Sequence, residues 1–195
     1  ATGIGPDNID IVVNELDALV NIDFKTRTIN KKKKTLDLIR LGTSAALQKD
    51  IEVNSLLVTI FGLGFDNIAH FYESEKVIEH EMSNKFKEYA NWPRNLSKPY
   101  IVKASDNLVS LFPDIKKGIT ATAPGFYGPQ GRILRLNPHI TNLNEKMENF
   151  SYNKNKITNF EMETSALYYL GQSLGHNTLT ICAIIANRIT KEYSN

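Results

Sequence analysis

Gln130 and Arg132 end the stretch "TAPGFYGPQGR" (Thr122–Arg132), which holds three of the chain's eleven glycines and two of its seven prolines. A glutamine offers a donor and an acceptor side by side, and an arginine offers a fixed fork of donors. On so stiff a loop the pair suits a planar ligand with adjacent carbonyl and imide groups, and Phe126 is available to stack on it. A surface turn with two solvated polar tips fits the same spacing. A second cluster is Arg40 with Thr43 and Ser44 in "IRLGTS". An arginine in an apolar strand needs its charge compensated. Either an ion pair does this, or an anion held by the guanidinium, the Thr43 hydroxyl and the amides around Gly42. The third cluster is Glu161–Met162–Glu163. Its carboxylates suit a helix N-terminus, or they grip the vicinal hydroxyls of a sugar over Met162 as a soft floor.

These clusters need elements to carry them. Ile9, Val12, Val13, Leu16, Leu19 and Val20 share one face of a 3.6-residue period, so a helix follows "ATGIG", with Pro6 in its first turn. Gly3 and Gly5 lie just before it, where amides could approach an anion. Ala1 reads as already inside a strand-to-helix turn. Thr35–Gln48 predicts a strand entering a turn at Gly42–Ser44, and Val53–Phe61 a second strand. Glu73–Tyr89 has helical character, and Pro93 and Pro99 bound a break. Gly118–Ala123 is a short strand leading into the glycine–proline loop, and Asn137–Lys156 is polar and loop-rich. Lys156–Gly175 starts as a strand and becomes a helix with Gly175 just past its end. Thr178–Arg188 is an apolar strand covered on both faces. Alternating strands and helices predict an α/β fold, with a mixed central β-sheet flanked by α-helices, as a single domain over 1–195. The three clusters then fall at strand ends, where open α/β sheets place ligands.

Bulk properties narrow the classes of function. With 195 residues, 42% hydrophobic and 23% charged, the chain can bury a sizeable core. A formal charge of +2 is too small to imply a nucleic-acid or membrane partner. The lysine run Lys31–Lys34 reads as solvated. Cys182, the single cysteine, reads as a buried, inert thiol in a reducing, cytoplasmic compartment. No apolar stretch approaches the ~20 residues that span a bilayer. His70, His80, His139 and His176 lack ligand spacing, so no metal is expected, and no Ser/His/Asp nucleophile arrangement is visible.

Taken together, "ATGIG", "IRLGTSAALQ", "GFYGPQGR", "NFEMETSALY" and "AIIANR" occur in the order and approximate spacing of the nucleoside phosphorylases. The chain resembles the uridine-cleaving members of that family most, from Ala1 to about Glu192. The resemblance implies a nucleoside phosphorylase-like fold and cleavage of an N-glycosidic bond by inorganic phosphate as co-substrate, with no organic cofactor. By that similarity Arg40 and Thr43 hold phosphate, Thr43 also lying near the ribose. Met162 and Glu163 hold the ribose, and Glu161 lines the same pocket. Gln130 and Arg132 bind the uracil edge against Phe126, and Ile185 and Ala186 close an apolar wall behind it. Arg188 belongs to a nearby closing element. Arg132, Gln130 and Arg40 thus carry the catalytic roles. Asn187 stands where purine-cleaving relatives carry a proton-donating aspartate, which together with Gln130 and Arg132 tips the reading to a pyrimidine nucleoside; uridine over thymidine follows only from the closest resemblance.

The same resemblance implies a homo-oligomer, a dimer or a hexamer built from dimers. It also marks departures. The family's N-terminal phosphate loop with its arginine, the residues lent by a neighbouring subunit and the final helix have no counterpart here, so the chain reads as cut at both ends. Ala45 replaces a glycine of the phosphate turn, and 65–99 matches poorly and gains no role beyond a lid or subunit contact. A hydrolytic or purine-cleaving nucleosidase of the same fold, and a non-catalytic nucleoside-binding remnant, are the competing readings.

Overall fold

The computed structural model describes residues 2–194; the turn expected at Ala1 lies outside them. Helix α1 (Pro6–Asn21) starts with proline in its first turn and buries Ile9 and Val13. A two-residue hairpin follows, β1 (Ile22–Asp23) with β2 (Thr28–Ile29). The long strand β3 (Asp37–Ala46) leads to β4 (Leu56–Gly64), α2 (His80–Tyr89), β5 (Tyr100–Lys103) and the short helix α3 (Asp106–Val109). Next come β6 (Lys117–Thr122), α4 (Leu143–Asn149), β7 (Ser151–Tyr152), β8 (Asn155–Glu161), α5 (Thr164–Ser173), β9 (Asn177–Asn187) and β10 (Glu192–Tyr193).

The sheet is mixed, as expected, but it is not open. β9 lies parallel to β3 and antiparallel to β4. β3 pairs with β8, β8 with β6, and β6 with β4. The five strands therefore close into a ring, with β5 and β10 added outside it. Closure removes the free edges that an open sheet would leave. A buried chain of hydrogen bonds crosses the ring. Thr59 meets Thr120 at 2.5 Å, Thr120 donates to Asn159 at 2.8 Å, and Asn159 donates to Ser44 at 2.9 Å.

Helices cover the ring on two sides. Ile9, Val13, Ala166, Tyr169 and Leu170 of α1 and α5 pack with Val58, Leu179 and Ile181. Phe65, Phe86, Trp92, Phe150 and Phe160 fill a second core, in which Phe65 and Trp92 stack at 4.8 Å.

Several expectations shift for physical reasons. β3 runs straight through Gly42–Ser44 rather than turning there. Helix begins only at His80, because the preceding residues from Glu73 are too polar to bury a face, and most are exposed. Phe65, Met82, Phe86, Ala90 and Trp92 anchor the segment 65–99 in the second core, while much of the rest of it is exposed. Asn137–Lys156 contains α4, which buries Leu143 and Met147 beneath its polar face. Gly175 takes a φ of 88° directly after the α5 C-cap, the left-handed position that glycine tolerates.

Candidate active site

Successive side chains of β3 alternate between faces. Arg40 folds its guanidinium over Gly42, where a Cβ added to the glycine would come within 2.5 Å of Nη1. Arg40 and Gly42 therefore share one face, and Thr43, which is exposed, takes the other. The structure does not bring the Thr43 hydroxyl to the Arg40 guanidinium. It brings Glu161 and Glu163 there instead. Arg40 Nη1 lies 3.2 Å from Glu161 Oε2, and Nη2 bonds Glu163 Oε2.

Both carboxylates sit at the junction of β8 and α5, and they divide the work. Glu161 accepts the amides of Glu163 (2.9 Å) and Thr164 (3.1 Å), so it satisfies the first turn of α5. It also accepts the Thr122 hydroxyl at 2.6 Å, because Thr122 is its partner in the parallel register of β6 and β8. Glu163 turns away toward Arg40 and accepts the Gly5 amide at 2.8 Å. The amide expected to greet an external anion before α1 is thus taken by a carboxylate of the chain. Met162, between them, is half-buried.

Burial raises the Glu161 carboxyl above its ordinary range; Arg40 pulls it back and Glu163 adds to the rise. Burial also opposes the Arg40 charge, but Glu161 and Glu163 outweigh it and hold the guanidinium above its usual value. One guanidinium faces two carboxylates here. With all three ionised, the cluster is net negative.

The glycine–proline loop builds a second cluster with the opposite charge. Gly131 takes a φ of 67°, which lets the chain reverse after the single turn Gly128–Gln130. Arg132 Nη1 then donates to the Phe126 carbonyl at 2.6 Å and to Gln130 Oε1. Its guanidinium lies 3.8 Å from the centroid of the Phe126 ring. Arg188, just past β9, donates to Gln130 Oε1 at 2.6 Å, to the Gln130 carbonyl at 2.8 Å and to Asn144 Oδ1 at 3.1 Å. Gln130 is 3% exposed. Among the described residues neither Arg132 nor Arg188 meets a carboxylate. Burial, then Arg132 beside it, push the Arg188 guanidinium down to about 10.

The placements differ from expectation at several points. Arg188 belongs in the clamp itself, holding Gln130. Phe126 is half exposed, and Arg132 occupies one face of its ring. Ile185 is exposed, whereas Ala186 is half-buried and pairs with Tyr193. Asn187 is 1% exposed and its amide is saturated. It donates to the carbonyls of Gln48 (3.0 Å) and Ile51 (2.8 Å), and accepts the amides of Ile189 (2.9 Å) and Thr190 (3.1 Å). It braces two loops within the fold. Sequence reasoning missed Thr122 and Asn144. Neither gave a signal in the sequence: Thr122 meets Glu161 through the register of β6 and β8, and Asn144 meets Arg188 from a distant helix.

A cavity of about 1,070 Å³ is lined by Phe65, Asp66, Trp92, Tyr127, Pro129 and Arg132, among others. It shares Arg132 with the clamp, but Arg40, Glu161, Glu163 and Gln130 do not line it.

Comparison with known proteins gives this geometry a context. Residues 1–194 match the family model of the phosphorylase superfamily. The uridine phosphorylase of Thermococcus kodakarensis is 26% identical over 193 residues, covering 99% of this chain and 58% of the relative. That of Haemophilus influenzae is 25% identical over 195 residues, covering 100% of this chain and 66% of the relative. The chain thus spans less than two thirds of the length of either. Among solved structures, a Trypanosoma brucei nucleoside phosphorylase, described as showing uridine phosphorylase activity, superposes with a TM-score of 0.86 at 27% identity. It is covered over 100% of this chain and 72% of its own. A Phytophthora capsici uridine phosphorylase, 21% identical, shares the fold at a TM-score of 0.60, over 100% of this chain and 66% of its own. On this full-length match and shared fold, the chain belongs to the phosphorylase superfamily.

Proposed function

We propose that the chain serves phosphorolysis of a pyrimidine nucleoside: uridine and phosphate give uracil and ribose 1-phosphate. The observation that carries this reading is the pair of guanidiniums, Arg132 and Arg188, gathered on Gln130 with no carboxylate beside them among the described residues. As the glycosidic bond lengthens, the base gains negative charge and the sugar gains positive character. Fixed donors aimed at the base stabilise that charge where water is excluded. Carboxylates suit the other end. In this reading Glu163 accepts ribose hydroxyls, and Glu161, held by Thr122 and the start of α5, orients Arg40.

Arg40 is the phosphate-binding group in this reading, with Thr43 at the strand's outer face. Phosphate and Glu163 compete for the same guanidinium. Phosphate binding therefore frees Glu163 for the sugar, and positioning of the two substrates supplies much of the acceleration. Inorganic phosphate is the co-substrate, and neither an organic cofactor nor a metal has a part. The family relationship supports a homo-oligomer, dimer or hexamer, in cytoplasmic pyrimidine salvage. Exposed Ile11, Leu19 and Leu41 are available for such contacts.

A hydrolytic nucleosidase is the second reading, favoured by the net negative charge around Arg40. Uracil release from uridine, followed with and without phosphate, separates the two. We expect release to depend on phosphate. Equal rates without it would assign hydrolysis, and no release with measurable uridine binding would leave a binding protein.

A further inference from the structure

We propose that the hairpin after α1, with the lysine loop that follows it, is a docking surface for an anionic lipid bilayer. The formal charge of +2 conceals an uneven distribution. Residues 22–34 hold six cations, Lys25, Arg27 and Lys31–Lys34, against one acid, Asp23, so the remainder of the chain is net negative. All six cations are exposed, and among the described residues none forms an ion pair. Asp23 caps the hairpin turn, where its Oδ1 accepts the amides of Lys25 (2.8 Å) and Thr26 (3.2 Å).

The fold displays this charge at a fixed place. Asn21, 2% exposed at the end of α1, holds Lys34 by both of its main-chain groups. Its Oδ1 accepts the Lys34 amide at 2.7 Å, and its Nδ2 donates to the Lys34 carbonyl at 3.1 Å. The Asn21 carbonyl accepts the Asn30 amide at 2.8 Å. Lys31–Lys33 therefore bulge between two pinned points, with their side chains in solvent. Two large apolar side chains share the hairpin: Phe24 is 64% exposed and Ile29 is 66% exposed.

Cations around exposed apolar side chains suit a surface that is anionic outside and apolar within. Each basic residue near such a bilayer favours binding by about fivefold, and the attraction fades within a Debye length. Phe24 and Ile29 supply the apolar part by entering the headgroup region. A nucleic acid can meet the cations and stack a base on Phe24, but Ile29 has no π-face to offer one. Five of the six cations are lysines, which act as point charges, and only Arg27 has the fork that grips a single phosphate. The surface also stands apart from the proposed chemistry. Gly5, whose amide reaches Glu163, caps the far end of α1, and the 16 residues of that helix span about 24 Å.

The test is co-sedimentation of the protein with vesicles of roughly 2:1 phosphatidylcholine and phosphatidylserine, with pure phosphatidylcholine as the control. We expect binding to the anionic vesicles alone, weakening as salt is raised. Lys31→Gln, Lys32→Gln, Lys33→Gln and Lys34→Gln, made together, should lower that affinity at least about tenfold. Asn21 holds Lys34 through main-chain groups only, so this variant keeps the pinned loop. Phe24→Ser with Ile29→Ser should weaken binding severalfold and leave its salt dependence in place. No binding to the anionic vesicles, equal binding to pure phosphatidylcholine, or affinity retained in the lysine variant would each overturn the proposal. Affinity unchanged by the Phe24 and Ile29 substitutions, with tighter binding to a single-stranded oligonucleotide than to the vesicles, would assign the surface to nucleic acid and overturn it as well.

Discussion

Two guanidiniums held together with no carboxylate among the described residues oppose folding, since burial and like charge both penalise them. Arg132 and Arg188 are held by carbonyl oxygens and by the faces of Phe126 and Phe160, at 3.8 and 5.1 Å. Such an arrangement is stable enough to keep, and it leaves positive charge unspent for a ligand. Arg132→Ala should accordingly lower kcat for uridine by about 10²-fold or more, the scale for losing a donor to developing charge. Steady-state kinetics with saturating phosphate checks this; near-normal turnover would mean that the loop does not grip the base. Residue types in "GFYGPQGR" made Gln130 and Arg132 legible as a pair. The orientation of the Gln130 amide was not legible, because Arg188 reaches it from 58 residues away.

At the scale of elements, the strand β3 and the β8–α5 junction decide what Arg40 can do. Gly42 is needed because the Arg40 guanidinium lies across it, not because the chain turns there. A methyl at this position would push the flexible end of Arg40 away from Glu161 and Glu163. Gly42→Ala should therefore raise KM for phosphate at least about tenfold, on the scale of one charge-assisted hydrogen bond. It should change stability by less than about 1 kcal/mol, because the obstructing atoms can move. Phosphate titrations together with urea denaturation separate the two effects. A protein that loses several kcal/mol instead would show that Arg40 cannot relocate. The glycine was visible in the sequence as a turn signal. Its actual role depends on a side chain two residues earlier on the same face.

For the whole molecule, closure of the ring through β9 and β4 places Cys182 opposite Leu57 and in a core with Ala46, Ile51 and Ile184. Burial pushes its thiol from 9.0 up to about 11. In the unfolded chain the thiol ionises first, so the folded state holds its proton longer and loses stability as pH rises through this window. Denaturation at pH 8.5 and pH 10.5 should show a fall on the order of 2 kcal/mol attributable to this group. Cys182→Ala should remove that fall. The native thiol should also resist alkylation at pH 8.5 until denaturant is added; rapid labelling of the folded protein would contradict its burial.

Local sequence by itself determined the alternation of strands and helices, the proline start of α1, the glycine stop of α5 and the three polar clusters. Each of these depends on periodicity or on neighbours within a few residues, where propensity and capping act. Tertiary structure decided the rest. It turned Thr43 away from Arg40 by strand alternation, and set Thr122 against Glu161 by register. It used the Asn187 amide to brace two loops, and carried Arg188 to Gln130. These outcomes follow from which strands become neighbours when the sheet closes. That choice rests on contacts between distant residues, whose energies no local stretch of sequence contains.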